Sequence, residues 1–180
     1  MAVVTIPAEK RKLTGAAEIS AYLKPAGLWY ERWNVERGVS PDASAGEILN
    51  AYAPEIQTMN ARGGYATADV INVTPETPGL DEMLNRFNKE HTHAEDEVRF
   101  IVKGSGIFHI HAAGRPVFAI EMEAGDMINV PAGTRHWFDL CSTRTIRAIR
   151  LFREKAGWTP LYIENGVHGD YQPICFGPQR

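Results

Sequence analysis

The second half of this chain consists of short runs in which apolar and polar residues alternate, and this pattern limits the fold more than any other feature. The runs cover residues 98–103, 106–111, 117–121, 126–130, 137–140 and 145–152. Turn segments such as Gly104-Ser-Gly106 and Pro131-Ala-Gly133 separate them, and glycine and proline provide turn conformations that β-branched residues avoid. Period-two runs of this length and spacing predict hairpins stacked into an antiparallel sandwich or barrel.

The first half is mixed and adds helices to this barrel. Helical spacing of apolar residues predicts helices over 16–23, about 44–63 and 81–88, whereas alternation predicts strands over 29–34 and 70–73. The middle helix should begin at Asp42 or Ser44, kink at Pro54 and end at Gly63-Gly64. We therefore expect a mainly β fold, a compact barrel that carries two or three peripheral helices from the N-terminal half.

Length and charge exclude several classes of protein. With 180 residues, 44 % of them hydrophobic, the chain is long enough for one domain with a sizeable core. Nineteen Lys and Arg against 22 Asp and Glu leave a net charge of −3, which argues against binding to nucleic acid or to an anionic membrane surface. No apolar run approaches the ~20 residues of a membrane span, and the N-terminus lacks a signal-peptide pattern. We expect a cytoplasmic protein, and a monomer.

A cluster of histidines carries the chemistry. Five of the six histidines lie between residues 91 and 136. In an extended chain His91, His93 and Glu97 share one face because their positions have equal parity, and His136 can supply a fourth ligand. Imidazoles with one carboxylate suit divalent iron, nickel, zinc or manganese. On an octahedral ion these four ligands would leave two positions for a bidentate substrate, whereas on tetrahedral zinc they would form a closed structural site.

Two stretches that contain these ligands resemble the two spaced motifs of the cupins. The first is His91-x-His93-x-x-x-Glu97 followed by six residues and Gly104, and the second is Gly125-x-x-x-x-x-Pro131-x-Gly133-x-x-His136. Asn85 stands where the first motif customarily begins with glycine, and Leu140 stands where the second ends with asparagine. Neither of these two positions is a ligand position, so the departures leave the metal site intact.

Within the cupins the chain is similar to the acireductone dioxygenases. The likeness extends from about residue 29 to about residue 152, and it is carried by segments 31–33, 88–100, 136–139 and 148–152. It implies a cupin-type double-stranded β-helix, or jelly-roll barrel, that binds one Fe(II) or Ni(II) ion per chain through His91, His93, Glu97 and His136. On this basis we divide the single cupin domain 1–180 into a mixed α/β part, 1–88, a metal-binding barrel core, 89–153, and a C-terminal tail, 154–180.

The resemblance also implies a reaction in methionine salvage. With iron, such enzymes cleave 1,2-dihydroxy-3-keto-5-methylthiopentene with O2 to 4-methylthio-2-oxobutanoate and formate. With nickel, the same substrate yields 3-methylthiopropionate, formate and carbon monoxide. A deprotonated enediol can chelate the open metal positions, where the cation stabilises its charge. The sequence does not distinguish iron from nickel, because the same ligands suit both.

Strand parity nominates further residues beside the metal. Arg99 lies two residues beyond Glu97 on the same face and could hold an anionic enediol. Phe138 lies two residues beyond His136 and could pack the methylthio end, and Arg150 is a second candidate cation. These three are the predicted substrate-binding residues.

Glu95 also matches the acireductone dioxygenase pattern. We expect it to bond a ligand imidazole from outside the metal site. Arg99 and Glu95 are the predicted catalytic residues.

Each candidate also has a plainer explanation. The four ligands could be coincidental residues of a solvated loop, although two spaced motifs would then both be accidental. Arg99 could form only a structural ion pair with Glu97 or Asp96. Phe138 could be ordinary core, since aromatic residues at alternating strand positions usually are, and Arg150 could be a charge at the barrel rim.

The remaining histidines and the cysteines have weaker functional interpretations. His109 and His111 have the same one-residue gap as the ligand pair, but no carboxylate follows them at the right distance, so we expect cross-strand or surface histidines. His168 should be a loop residue. Two cysteines are too few for a disulfide framework and fit a reducing compartment. Cys141 could be a nucleophile only if a histidine were free to act as its base, and Cys175 is most simply an apolar filler in the tail.

Two other functions remain open. The same four ligands could serve another cupin oxygenase or isomerase that acts on a different anion. Alternatively, the chain could be a binding module without catalytic activity, in which the metal ion only stabilises the fold. Metal-dependent consumption of oxygen with an enediol separates the dioxygenase from the binding module.

Overall fold

A computed structural model describes residues 1–35, 38–154 and 159–176 of the chain. Its helices are α1 (Ala16–Leu23), α2 (Ala45–Ala51), α3 (Ala53–Gly63) and α4 (Leu80–Phe87). Its strands are β1 (Val3–Ile6), β2 (Arg11–Leu13), β3 (Trp29–Arg32), β4 (Thr67–Val73), β5 (His91–Thr92), β6 (Glu97–His111), β7 (Phe118–Glu123), β8 (Asp126–Val130), β9 (Arg135–Leu140), β10 (Ile146–Phe152) and β11 (Leu161–Tyr162). The predicted mainly β architecture is confirmed.

Strand β6 organises the barrel because it belongs to two sheets. Its first half lies between β8 and β10, and its second half lies between β7 and β9. The first sheet continues through β3 and β4, and the second through β1, β2, β5 and β11. Every pairing is antiparallel, as the hairpin pattern predicts.

The turn predicted at residues 104–106 is wrong, since β6 continues through it. Gly104 has φ +80° and remains opposite Ile146, and Ser105 N–H donates to the Thr145 carbonyl at 3.2 Å. Glycine is required here because an added Cβ would lie 2.0 Å from the Thr145 oxygen. The glycine therefore redirects one long strand from the first sheet into the second.

The described residues contain four α-helices, one or two more than predicted. Helix α1 has the predicted bounds, but the predicted middle helix is divided at Tyr52, which has φ −105° and ψ 14°. Ser44, one of the two predicted caps, begins α2 in a capping box with Glu47. Pro54 lies in the first turn of α3, where its missing N–H has no cost.

Two hydrophobic clusters stabilise this arrangement. One lies inside the barrel around residues such as Phe108 and Ile128 and also contacts α1. The other lies outside the first sheet, where α2 and α3 cover it and the Trp33 and Tyr52 rings each pack 4.7 Å from the Phe100 ring. Among the described residues, no helix is both long enough and apolar enough to cross a membrane.

The C-terminal tail is attached to the barrel, which corrects the expectation for both cysteines. Cys141, just after β9, forms a disulfide with Cys175, so neither is a free thiol, a nucleophile or a simple filler. Strand β11 of the tail pairs with β5, and His168 lies in a short 3-10 helix, Val167–Asp170, and not in a loop. Residues 155–158 and 177–180 of the predicted tail are outside the described residues.

Candidate metal centre

The fold brings together all four residues that the sequence nominates as metal ligands. His91 lies on β5 opposite His136 on β9, His93 follows β5, and Glu97 begins β6. All four side chains are buried. One nitrogen or oxygen atom from each lies within 4.8 Å of the others.

Backbone carbonyls set the orientation of the three imidazoles. In each ring Nδ1 faces a carbonyl oxygen, which can only accept a hydrogen bond, so Nδ1 carries the proton and Nε2 keeps its lone pair. The acceptors are the carbonyls of Lys89 for His91 at 2.6 Å, Thr134 for His136 at 2.7 Å and Thr159 for His93 at 3.4 Å. This arrangement turns the Nε2 atoms inward as ligands.

The inward-facing atoms need a cation between them. Oε2 of Glu97 lies 2.9 Å from Nε2 of His136 and 3.3 Å from Nε2 of His93. With Nδ1 protonated in both rings, these are contacts between a carboxylate and lone pairs, which repel unless a proton or a metal ion stands between them. Three imidazole nitrogens and one carboxylate are a donor set for a divalent transition metal.

The protonation states also suit a metal. Burial lowers the pKa of His91 to about 4, and His136 contributes in the same direction. Burial alone would raise the pKa of Glu97, but the Arg99 guanidinium holds it well below its usual range. His91 is therefore neutral and Glu97 ionised near neutral pH, as metal ligands must be.

Arg99 lies beside the metal centre as strand parity predicts. Its Nε donates to Oε1 of Glu97 at 2.8 Å, and the side chain is 8 % exposed. The ion pair with Glu97 that we considered as a plainer explanation is thus present. Arg99 also lines an adjoining cavity, so the ion pair and a substrate-binding role are compatible.

This cavity, of about 70 Å³, is largely apolar. Helix α4 covers it with Met83, Leu84 and Phe87, and β4, β9, β10 and β6 supply Ile71, Val73, Phe138, Leu140, Ile146, Arg150 and Arg99. Phe138 packs 4.8 Å from the Phe108 ring. The structure therefore places Phe138, Arg99 and Arg150 around one cavity.

Arg150 has a partner that the sequence analysis did not identify. Its Nε and Nη2 donate to the two carboxylate oxygens of Asp69 at 2.7 and 2.6 Å. Asp69 shares a face of β4 with the cavity residues Ile71 and Val73, so alternation along β4 could have indicated it. The three carbonyls that hold the imidazoles were also missed, because a backbone carbonyl leaves no signal in the residue type.

The expectation that Glu95 bonds a ligand imidazole is wrong. The Nδ1 atoms of all three imidazoles face the carbonyls described above. Glu95 instead lies 3.8 Å from Arg153. The chain bends at residues 94–95, between β5 and β6, and the Glu95 side chain lies toward Arg153 and not toward a ligand imidazole.

The second histidine pair and the cysteines lie away from the metal centre. His109 is buried, not a surface residue, and stacks on the cross-strand ring of Trp137 at 4.9 Å. His111 bonds the buried carboxylate of Glu90 at 2.6 Å. Glu121 lies near Cys141 and Cys175, but the disulfide uses both sulfur atoms and leaves no thiolate for a metal.

Comparisons with known proteins agree with this site. The model of the ARD/ARD' family matches residues 8–160. An acireductone dioxygenase from Picosynechococcus sp. is 42 % identical, with 92 % of this chain and 94 % of that relative aligned, and one from Methylococcus capsulatus is 45 % identical over 86 % and 82 %. A structure titled acireductone dioxygenase from Bacillus anthracis with a cadmium ion in its active centre has TM-score 0.85 and 40 % identity, covering 90 % of this chain and 98 % of that one. The predicted resemblance and the cupin barrel are thus confirmed, and the chain belongs to the ARD/ARD' family.

Proposed function

We propose that this protein is an acireductone dioxygenase, a metal-dependent enzyme that cleaves an enediol ketone with O2. The observation that carries the proposal is a buried carboxylate whose Oε2 faces the lone pairs of His136 and His93 at 2.9 and 3.3 Å. This cluster adjoins a cavity with two guanidinium groups and an apolar wall. The names of the relatives support the same activity.

We propose His91, His93, Glu97 and His136 as the ligands of one Fe(II) or Ni(II) ion per chain. When bound, such an ion supplies positive charge that stabilises a deprotonated enediol. The backbone carbonyls keep the imidazoles in the ligand tautomer and orientation. Arg99 holds Glu97 by a charge-assisted hydrogen bond, so this carboxylate stays in place.

The residues around the cavity bind and orient the substrate in this proposal. Arg99 attracts the enediolate, since it bonds Glu97 beside the ligands, and Arg150 lines the same cavity farther along the substrate. Phe138 and the apolar side chains of α4 pack against the substrate tail and exclude water. Glu95 remains a predicted catalytic residue only because it matches the family pattern, since its contact is with Arg153 and not with a ligand imidazole.

We propose 1,2-dihydroxy-3-keto-5-methylthiopentene as the substrate, because a methylthio tail suits a small apolar cavity. The proposed products are 4-methylthio-2-oxobutanoate and formate with iron, and 3-methylthiopropionate, formate and carbon monoxide with nickel. A monomer in the cytoplasm remains the prediction, but the Cys141–Cys175 disulfide removes the support that two free cysteines gave to a reducing compartment. The net charge of −3 supports the predicted absence of a nucleic-acid or membrane partner.

The test is oxygen consumption by protein loaded anaerobically with Fe(II) or Ni(II) and mixed with this enediol. We expect rapid decay of the enediol absorbance with formate from both forms and carbon monoxide only from the nickel form. The variant His93→Ala should lose bound metal and activity together, because one of four ligands is absent. Full turnover by this variant would contradict the ligand assignment. Absence of turnover in the loaded wild type would favour a different substrate or a binding module.

A further inference from the structure

A row of four charged side chains crosses the first sheet from an outer strand toward the metal centre. Asp69 on β4 lies opposite Arg150 on β10, and Arg150 lies opposite Arg99 on β6. Arg99 in turn donates to Glu97 at 2.8 Å. The two guanidinium groups are neighbours in the middle of the row and a carboxylate stands at each end, so that the four side chains together carry no net formal charge.

The outer pair of this row is held in a defined geometry. Nε and Nη2 of Arg150 reach separate oxygens of Asp69 at 2.7 and 2.6 Å. Such a two-point bond fixes the plane of a guanidinium as well as its position. Arg150 and Asp69 are 25 % and 27 % exposed, against 8 % for Arg99, so this pair lies on the side of the row nearer to solvent.

The same pair borders the apolar part of the cavity. Ile71 and Val73 follow Asp69 at even spacing on β4, and Ile146 lies on the same face of β10 as Arg150. All three apolar side chains line the cavity. A substrate with its enediol near Glu97 would extend its tail past Arg150 into this region. A guanidinium without a counter-ion here would attract any anionic group on the tail.

We propose that Asp69 is a specificity-determining residue that neutralises Arg150, so that the cavity selects enediols with an uncharged tail over those that end in an anionic group. Specificity of this kind arises by making the wrong ligand unfavourable and not only by contacts with the right one. The inference rests on the proposed function, because it assumes an enediol at the metal centre.

The test compares two enediol ketones of equal length, one with a methyl group and one with a carboxylate at the end of the tail. Each is titrated into Ni(II)-loaded protein without oxygen, so that binding is measured from the enediolate absorbance without turnover. The wild type should bind the methyl compound more tightly. Asp69→Asn should reduce this preference about tenfold through tighter binding of the carboxylate compound to Arg150. Arg150→Gln should increase the preference, because Asp69 then repels the carboxylate.

Asn72 provides a matched control on the same two strands. Its side chain accepts from Arg147 at 3.1 Å on the exposed face, so Asn72→Ala disturbs the pairing of β4 and β10 without touching the cavity. We expect Asn72→Ala to leave the preference for the methyl compound unchanged. The double variant Asp69→Asn/Arg150→Gln should lose the tighter binding of the carboxylate compound that Asp69→Asn shows.

Four outcomes would decide against the proposal or its foundation. An unchanged preference in Asp69→Asn, or an equal change in Asn72→Ala, would overturn the inference. If Asp69→Asn does not fold, Arg150→Gln decides instead. The inference is overturned if this variant prefers the methyl compound no more strongly than the wild type does. If the loaded wild type binds neither compound and consumes neither with oxygen, the proposed function itself fails.

Discussion

At the scale of single residues, Arg99 both donates a hydrogen bond to Glu97 and lines the proposed substrate cavity. We expect Arg99→Ala to keep one metal ion per chain, because Oε1 of Glu97 no longer shares its charge with a guanidinium. The dissociation constant of the enediol should increase at least about tenfold through the loss of a buried cation. Anaerobic titration and metal analysis measure the two effects separately. Unchanged binding and kinetics would reduce Arg99 to a structural ion pair.

Asp139 is a residue whose charge opposes folding. Burial raises the pKa of its carboxyl to about 6, above the value in an unfolded chain. The folded state therefore binds the proton more tightly than the unfolded chain does. The resulting contribution to the free energy of unfolding is fully present at pH values below about 4 and is lost as the pH rises through 6. We expect Asp139→Asn to increase the free energy of unfolding by roughly 1 kcal/mol at pH 7.5, after allowance for solvent screening, and to have little effect at pH 4.

Urea unfolding at both pH values measures this difference. Asp42→Asn is a suitable control because Asp42 is exposed, and its effect should be the same small one at both pH values. A pH-independent effect of Asp139→Asn would show that burial of the charge is not the cause.

At the scale of secondary structure, the course of β6 from one sheet into the other depends on Gly104. Gly104 and Gly114 both have positive φ, at +80° and +72°, but an added Cβ meets the Thr145 oxygen at 2.0 Å in the first case and nothing within 4 Å in the second. We expect Gly114→Ala to cost about 1 kcal/mol for its backbone conformation alone. Gly104→Ala should cost about 3 kcal/mol or more, because the strand must also separate from Thr145.

Comparison of the urea unfolding midpoints of these two variants isolates the steric contact from the backbone strain. Equal losses would mean that β6 and β10 move apart at little cost. This outcome would contradict the role of Gly104 in the change of sheets.

Most strands could be predicted from alternation, but the short ones could not. Strand β8 has the predicted bounds, 126–130, and α1 has the predicted 16–23. Strands β5 and β11 contain two residues each, too few for a period to be visible. They form because β9 and the tail lie beside them, which is a property of tertiary pairing and not of local sequence.

At the scale of the whole molecule, the tail packs beside the metal centre and contacts two of the segments that carry ligands. Strand β11 pairs with β5, and the Thr159 carbonyl faces Nδ1 of His93. The disulfide between Cys141 and Cys175 closes a loop with a sequence separation of 34 residues around this segment. The tail is thus attached to the barrel on both sides of its contacts with the ligands.

We expect Cys175→Ser to reduce the free energy of unfolding by about 3 to 4 kcal/mol, as loop-closure entropy predicts for a loop of this length. Urea unfolding of the wild type with a dithiol reductant should show a similar reduction, whereas the reductant should not affect the variant. If the reductant leaves the wild-type midpoint unchanged, the disulfide does not contribute to stability.

The sequence by itself determined the β class, the family and the four residues proposed as metal ligands, because alternation and ligand spacing are local properties that one strand or turn carries whatever its neighbours are. It also indicated Arg99, Phe138 and Arg150, since parity continues along a strand. Only the tertiary structure decided which carbonyls orient the imidazoles, that Asp69 neutralises Arg150 and that Cys141 bonds Cys175. The contacts of Asp69 with Arg150, of Thr159 with His93 and of Cys141 with Cys175 join segments far apart in sequence, and the pairing of strands sets their distances. The other two carbonyls, of Lys89 and Thr134, lie only two residues before their imidazoles, but a backbone carbonyl leaves no signal in the residue type.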